Sequence, residues 1–201
     1  MCGRFYVDDE TAKEIQKLVR KIDAQLKKAK LVGDVHPTEI AAVIEAENRE
    51  LRATAKRWGF PGFGNQKVLI NARAETVMEK RMFRDNVQYR RIVIPAAGFY
   101  EWNQAKEKAT FTAEAAEQGR ARILYMAGFY GNFEGEDRFI ILTTEANESM
   151  KDVHHRMPLI LEQDEVKDWI CDDGRLGSFL KKRPGSLNRY IENEQQRLSF
   201  L

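Results

Sequence analysis

Ile123-Leu124-Tyr125-Met126-Ala127-Gly128-Phe129-Tyr130 is followed, across a glycine-bounded gap from Gly131 to Gly135, by Arg138-Phe139-Ile140-Ile141-Leu142-Thr143. Two runs rich in β-branched and aromatic residues, separated by a gap of hairpin length, predict neighbouring antiparallel strands. Working outward, similar short runs recur at Glu39–Glu45, Leu51–Trp58, Val87–Ile94, Gly98–Trp102 and Ala109–Ala113. Turn signals at Glu47-Asn48, Pro61-Gly62-Phe63-Gly64 and Gly119 separate several of them. A helix is predicted from Thr11 to about Lys30, where Ile15, Leu18, Val19, Ile22 and Leu26 fall at helical spacing and Thr11 with Glu14 makes a capping box. Further helices are expected at Ala74–Asp85 and at Glu162–Cys171, the latter after the strand-like Leu159–Leu161. The expected class is therefore α+β, a mostly antiparallel, barrel-like β core flanked by helices. No repeat or linker divides the chain, so a single domain over residues 1–201 is expected.

Composition removes several function classes. Lys plus Arg (33) against Asp plus Glu (31) leaves a net charge of +2 over 201 residues, so any surface for a polyanion must be local. No apolar run approaches the roughly 18 residues of a membrane span, and no basic-then-apolar leader opens the chain, which predicts a soluble, cytoplasmic protein. Cys2 and Cys171 are too few for a disulfide framework, and neither stands in a zinc-ligand spacing. With three histidines and no HExxH, neither a metal nor an organic cofactor is expected.

Four short features carry chemistry. Cys2 follows the initiator Met, and removal of Met1 would leave an α-amine and a thiol on one residue. Such a 1,2-aminothiol can condense with an aldehyde to an imine and close a thiazolidine through sulfur. An α-amine titrates near ~7.7–8.0 and a thiol near ~8.5, so both supply nucleophile at neutral pH. Asn71-Ala72-Arg73-Ala74-Glu75-Thr76 follows the apolar Val68-Leu69-Ile70 and precedes Lys80-Arg81-Met82-Phe83; Asn71 either caps the next helix or presents its amide to a site. In Gly98-Phe99-Tyr100-Glu101-Trp102 one acid stands among aromatics, where desolvation would raise its pKa and suit it to proton transfer, although strand alternation equally allows it a wet face. In His154-His155-Arg156-Met157-Pro158 a histidine precedes an extended segment and is either a proton carrier or a structural hydrogen-bonder.

Taken in order, Met-Cys-Gly-Arg-Phe, Asn-Ala-Arg-x-Glu-Thr, Gly-Phe-x-Glu-Trp and His-x-Arg-Met-Pro resemble the SRAP family of abasic-site processing proteins, over Met1 to about Leu161. The resemblance implies a module that removes its own Met1, binds single-stranded DNA and crosslinks covalently, through a thiazolidine, to the open-chain aldehyde of an abasic site. It implies Cys2 as nucleophile, with Asn71, Glu101 and His154 as the other catalytic residues. Arg4, Arg73 and Arg81 match basic residues of a DNA groove, Phe63 matches an aromatic wedge, and Thr143 matches a strand-end residue near the lesion. A monomer without metal is implied, cytoplasmic and nucleoid-associated when on DNA. The chain departs from the family at Asp34-Val35-His36-Pro37, where Asn-x-Ala-Pro is usual, and at Phe63, where Trp is usual; Ser186–Leu201 matches nothing. Two other classes compete: an N-terminal-nucleophile amidohydrolase using Cys2, which would need an oxyanion hole, and a non-catalytic single-strand binding module, which would tolerate loss of Cys2.

Overall fold

The computed structural model describes residues 2–19, 21–22, 26, 29, 31–62, 68–114 and 123–191. In chain order its strands are β1 (Phe5–Val7), β2 (Lys21–Ile22), β3 (Gly33–Val35), β4 (Ile40–Glu47), β5 (Glu50–Trp58), β6 (Phe60–Pro61), β7 (Val68–Leu69), β8 (Asn71–Arg73), β9 (Arg91–Ala96), β10 (Gly98–Trp102), β11 (Lys108–Ala113), β12 (Leu124–Phe133), β13 (Glu136–Glu145), β14 (Arg156–Pro158), β15 (Ile160–Leu161) and β16 (Leu187–Ile191). Between them lie α1 (Asp9–Leu18), α2 (Arg81–Tyr89), α3 (Val166–Cys171) and α4 (Leu176–Phe179).

Antiparallel pairing runs β13-β12-β9-β4-β5, and a parallel pairing of Arg138 with Arg57 and Phe139 with Trp58 returns β5 to β13. The ring closes, which removes the exposed edges that an open sheet would leave. Each ring strand buries both faces: in β12, Leu124 and Met126 join one apolar cluster while Tyr125, Ala127 and Phe129 join another. The first cluster takes in Phe5, Phe99 and Phe111 from a second, five-stranded sheet in the order β16-β11-β10-β1-β3; the second takes in Ile15, Val87 and Trp169 from the helices. Gly128 is required where β12 crosses the ring, because a Cβ there would lie 2.5 Å from the Ile140 carbonyl oxygen and 2.7 Å from Ile94. The α+β, mostly antiparallel and barrel-like expectation holds.

Several local expectations do not. Val87-Gln88-Tyr89 ends α2 and is not strand; Phe83 and Val87, one turn apart, face the helix-side cluster, and the Arg90 N–H closes the last turn on the Asn86 oxygen at 2.7 Å. The single helix expected at Ala74–Asp85 is two elements. Ala74 and Val77 bury at the three-residue spacing of a 3-10 helix (Ala74–Glu79), and extended Lys80 breaks it from α2. The first helix stops at Leu18, because Val19 turns extended to reach the core, and Lys21–Ile22 pairs parallel with β5. Its cap is Asp8, whose side chain accepts the Thr11 N–H at 2.7 Å, so the capping box expected at Thr11 and Glu14 is displaced. The C-terminal segment to which nothing was assigned supplies β16, paired in register with β11. Gly119 and residues 63–67, which include Phe63-Gly64 of the expected turn signal, lie outside the described residues.

One buried cation ties helices to the ring. Arg91, at the start of β9, sends its guanidinium to the Trp169, Val87, Gln88 and Ile170 carbonyl oxygens and to Asp173, thereby capping the C-termini of both α2 and α3. Its side chain is 2% exposed. Arg91→Met should strip those carbonyls of their donor and lower unfolding free energy by about 3 kcal/mol, at ~1–3 kcal/mol per orphaned buried group. Arg90→Met, at an exposed neighbour, should stay within about 0.5 kcal/mol. Urea unfolding midpoints of the two variants check this.

Candidate active site

The amino-terminal strand brings the first and third sequence features together. β1 pairs antiparallel with β10, Phe5 opposite Phe99, and the Tyr100 N–H donating to the Arg4 oxygen at 2.9 Å carries the ladder toward the chain start. Cys2 is thereby led along the Glu101 end of β10 into the apolar cluster, where it is fully buried, its Sγ 3.8 Å from the Arg4 carbonyl oxygen. Glu101 is 5% exposed, so it takes the inward face of its strand, not the wet one. Burial, with the Glu101 charge adding to it, pushes the Cys2 thiol up to about 12. The resting group is therefore S–H, not thiolate.

β13 brings in the second and fourth features. It pairs parallel with β8, Ile141 opposite Asn71, and antiparallel with β14, Glu145 opposite Arg156. Asn71 does not cap a helix. Its Nδ2 donates to the Cys2 carbonyl oxygen at 2.9 Å, while its Oδ1 is buried and meets no hydrogen-bond donor among the described residues. His154 accepts the Arg156 backbone N–H on Nδ1 at 2.9 Å, which leaves Nε2 to carry the proton of the neutral ring. Burial holds His154 below the ordinary histidine range, against the opposing pull of Glu101. Its ring stacks on His155 at 4.4 Å.

Two residues that the motifs contain but that had no role assigned join the same network. Arg156 is buried and grips both Glu75 oxygens, at 2.9 and 2.8 Å, as well as the Thr143 carbonyl at 2.6 Å. Burial alone would raise the Glu75 carboxyl; the Arg156 hydrogen bonds outweigh it and hold the group below its usual range. The available signal was complementary charge, an acid in one box and an arginine in another.

The four expected catalytic residues thus converge. The expected DNA-contacting residues divide. Arg73 and Arg81 are exposed, and neither makes an ion pair among the described residues. Arg4 is half-buried, its guanidinium 5.3 Å from the Trp102 ring centroid and its Nη1 3.9 Å from Asp34 Oδ2. Thr143 is fully buried with its hydroxyl 3.4 Å from the Ala72 oxygen, so it lies behind the site and not on its surface. Phe63 lies outside the described residues. At the departing tetrapeptide, Asp34 accepts the Tyr100 hydroxyl at 3.0 Å, and the His36 N–H donates to Glu39 at 2.7 Å.

Relatives of known sequence share this chain over most of its length. Abasic site processing protein YoqW of Bacillus subtilis is 33% identical over 186 residues, 85% of this chain and 80% of the relative. Abasic site processing protein YoaM of the same organism is 35% identical over 147 residues, 68% of this chain and 64% of the relative. Abasic site processing protein YedK of Escherichia coli is 28% identical over 179 residues, 85% of this chain and 79% of the relative. Among solved structures, a protein from Bacteroides thetaiotaomicron superposes with a TM-score of 0.73 at 21% identity, covering 97% of this chain and 94% of that one, which establishes a shared fold. Residues 1–190 match the SOS response associated peptidase (SRAP) family, and the chain belongs to it.

Proposed function

We propose that this protein processes abasic sites: it binds single-stranded DNA and, once Met1 is removed, captures the lesion's aldehyde on Cys2 as a thiazolidine. What supports this best is the convergence of Asn71, Glu101 and His154 on one buried amino-terminal cysteine. The relatives named for abasic-site processing favour the same substrate.

The protonation states suggest the order of events. A thiol held near 12 is S–H at neutral pH, whereas a free α-amine titrating near ~7.7–8.0 is partly neutral, so nitrogen attacks the aldehyde first. The carbinolamine loses water as the amine's protons pass from nitrogen to its oxygen, and Glu101 is the buried carboxyl at hand to relay them. The thiol then adds to the imine carbon: a C–S bond forms, the C=N π pair returns to nitrogen, and the S–H proton passes through Glu101 to that nitrogen. Asn71 holds the Cys2 carbonyl and keeps Oδ1 as a buried acceptor that the described residues leave unused. His154, neutral with its proton on Nε2, can donate a hydrogen bond to the sugar ring oxygen during opening, while the proton lost by the hemiacetal hydroxyl moves to that oxygen. Holding amine, thiol and aldehyde together is worth roughly 7–11 kcal/mol of barrier. Strand cleavage by β-elimination from the imine is the competing path, and Glu101 acting in reverse would release the crosslink.

Incubation with a single-stranded oligonucleotide bearing one abasic site should give a denaturation-resistant adduct whose peptide map places the DNA on Cys2, through both nitrogen and sulfur. An adduct on Cys171 or on a lysine overturns the proposal.

Glu101→Gln keeps the shape and removes the carboxyl that relays protons. Crosslinking and release should both slow by about 10²–10⁴-fold, with little change in affinity for undamaged DNA. Wild-type rates across pH in this variant would make Glu101 structural and move the acid role to His154.

In the DNA-free chain, Cys2 should resist alkylation. With Met1 in place, a thiol titrating near 12 is scarcely ionised at pH 8, against roughly a quarter for an ordinary cysteine, so iodoacetamide should label native Cys2 at least about 10²-fold more slowly than the unfolded chain. Mass-spectrometric labelling rates check this.

A further inference from the structure

Beside Cys2 stands a cation whose satisfaction is incomplete. The Arg4 guanidinium stacks on Trp102, its Nε is buried with no hydrogen-bond partner among the described residues, and the nearest carboxylate among them, Asp34, stops at 3.9 Å from Nη1, beyond hydrogen-bond length. Asp34 cannot close that gap as it stands. Its other oxygen accepts the Tyr100 hydroxyl at 3.0 Å, and its backbone is fixed in the β1–β3 ladder opposite Tyr6. Tyr100 is itself boxed, with the Tyr6 ring stacked at 5.4 Å and the Lys108 ammonium 4.2 Å from its centroid. The side chains of Arg4 and Asp34 are 33% and 38% exposed, so this loose pair opens onto solvent.

We propose that Asp34 is an internal competitor for Arg4, holding the place that a strand phosphate takes and thereby limiting affinity for undamaged single strands. This rests on the reading above that Arg4 meets the DNA backbone. A phosphate approaching from the solvent side can accept two guanidinium N–H bonds from the terminal nitrogens, so it replaces a distant carboxylate with a closer, better-shaped anion. Displacement still leaves the Asp34 charge near the strand, which works against binding. Tyr100 sets the balance: its hydroxyl keeps Asp34 off Arg4 and so keeps the cation available.

The test is fluorescence anisotropy with a labelled, undamaged oligothymidylate at low salt. Asp34→Asn retains an acceptor for Tyr100 and removes the charge, and should tighten binding about two- to five-fold, the range of exposed ion pairs. In an Arg4→Gln background that gain should vanish. Tyr100→Phe should weaken binding when Asp34 is present, by freeing the carboxylate to close on Arg4, and should have no effect in the Asp34→Asn chain. An equal gain with and without Arg4 means general repulsion of DNA and overturns the proposal, as does weaker binding by Asp34→Asn. If neither wild type nor Asp34→Asn holds the oligonucleotide, the single-strand reading fails with it; binding with an additive cycle overturns the competition alone.

Discussion

β13 is paired with two partners at once along much of its length, and that constraint positions everything else. At Arg138 and Phe139 it lies between β12 and β5, at Ile141 between β12 and β8, and at Thr143 between β8 and β14. Its first half closes the ring and its second half carries the site. A strand with both ladders filled cannot slip, because a shift by one residue would turn Phe139 and Ile141 from one core cluster into the other. Asn71, in register with Ile141, and the His154–Arg156 segment leading into β14 are therefore fixed relative to each other by backbone pairing, before any side-chain contact between them. β1 is set independently by β10. The Asn71–Cys2 hydrogen bond joins the two sheets at the point where chemistry is proposed.

What the sequence disclosed followed from which contacts are local. Gly98–Trp102 matched its strand because alternation within it is decided by direct neighbours, and the hairpin of β12 and β13 was signalled by its own glycines. Val87-Gln88-Tyr89 misled because β-branched and aromatic residues also suit a helix whose Phe83 and Val87 face a distant core. Lys80, extended between two helical pieces, carries no Gly or Pro to announce the break. β16 was invisible because only its end residues, Leu187 and Ile191, are buried, so it shows no alternation. At the site, Cys2, Asn71, Glu101 and His154 stood out by residue type within motifs. Their convergence depends on pairings between segments about 70 to 150 residues apart, which no periodicity reports.

Burying the proposed nucleophile lowers its resting reactivity, yet the arrangement has a logic. A 1,2-aminothiol in free solution would react with any aldehyde and any oxidant, whereas a desolvated thiol beside a carboxylate stays protonated until an imine forms next to it. The imine is the electrophile that a neutral thiol with an adjacent proton acceptor can attack. In the proposed reaction reactivity is thus conditional on the first step, and Glu101, which adds to burial in suppressing the thiolate, is the group placed to take its proton when that step occurs.

The Glu75–Arg156 pair supplies the remaining stiffness. An ion pair with one partner exposed, as Glu75 is, is weak evidence for net stability, since solvent screens much of its attraction, but its geometry is exacting. Arg156 satisfies Glu75 with two parallel bonds and the Thr143 carbonyl with a third, so a guanidinium that moved would leave several acceptors unmet. Arg156 is also the residue whose backbone N–H fixes the tautomer of His154. One side chain therefore anchors the helical turn after Asn71, while its own peptide orients the histidine. The buried Thr143 belongs to this support and not to a DNA surface: its hydroxyl meets the Ala72 oxygen, and its carbonyl gives Arg156 the third contact that keeps the guanidinium in place.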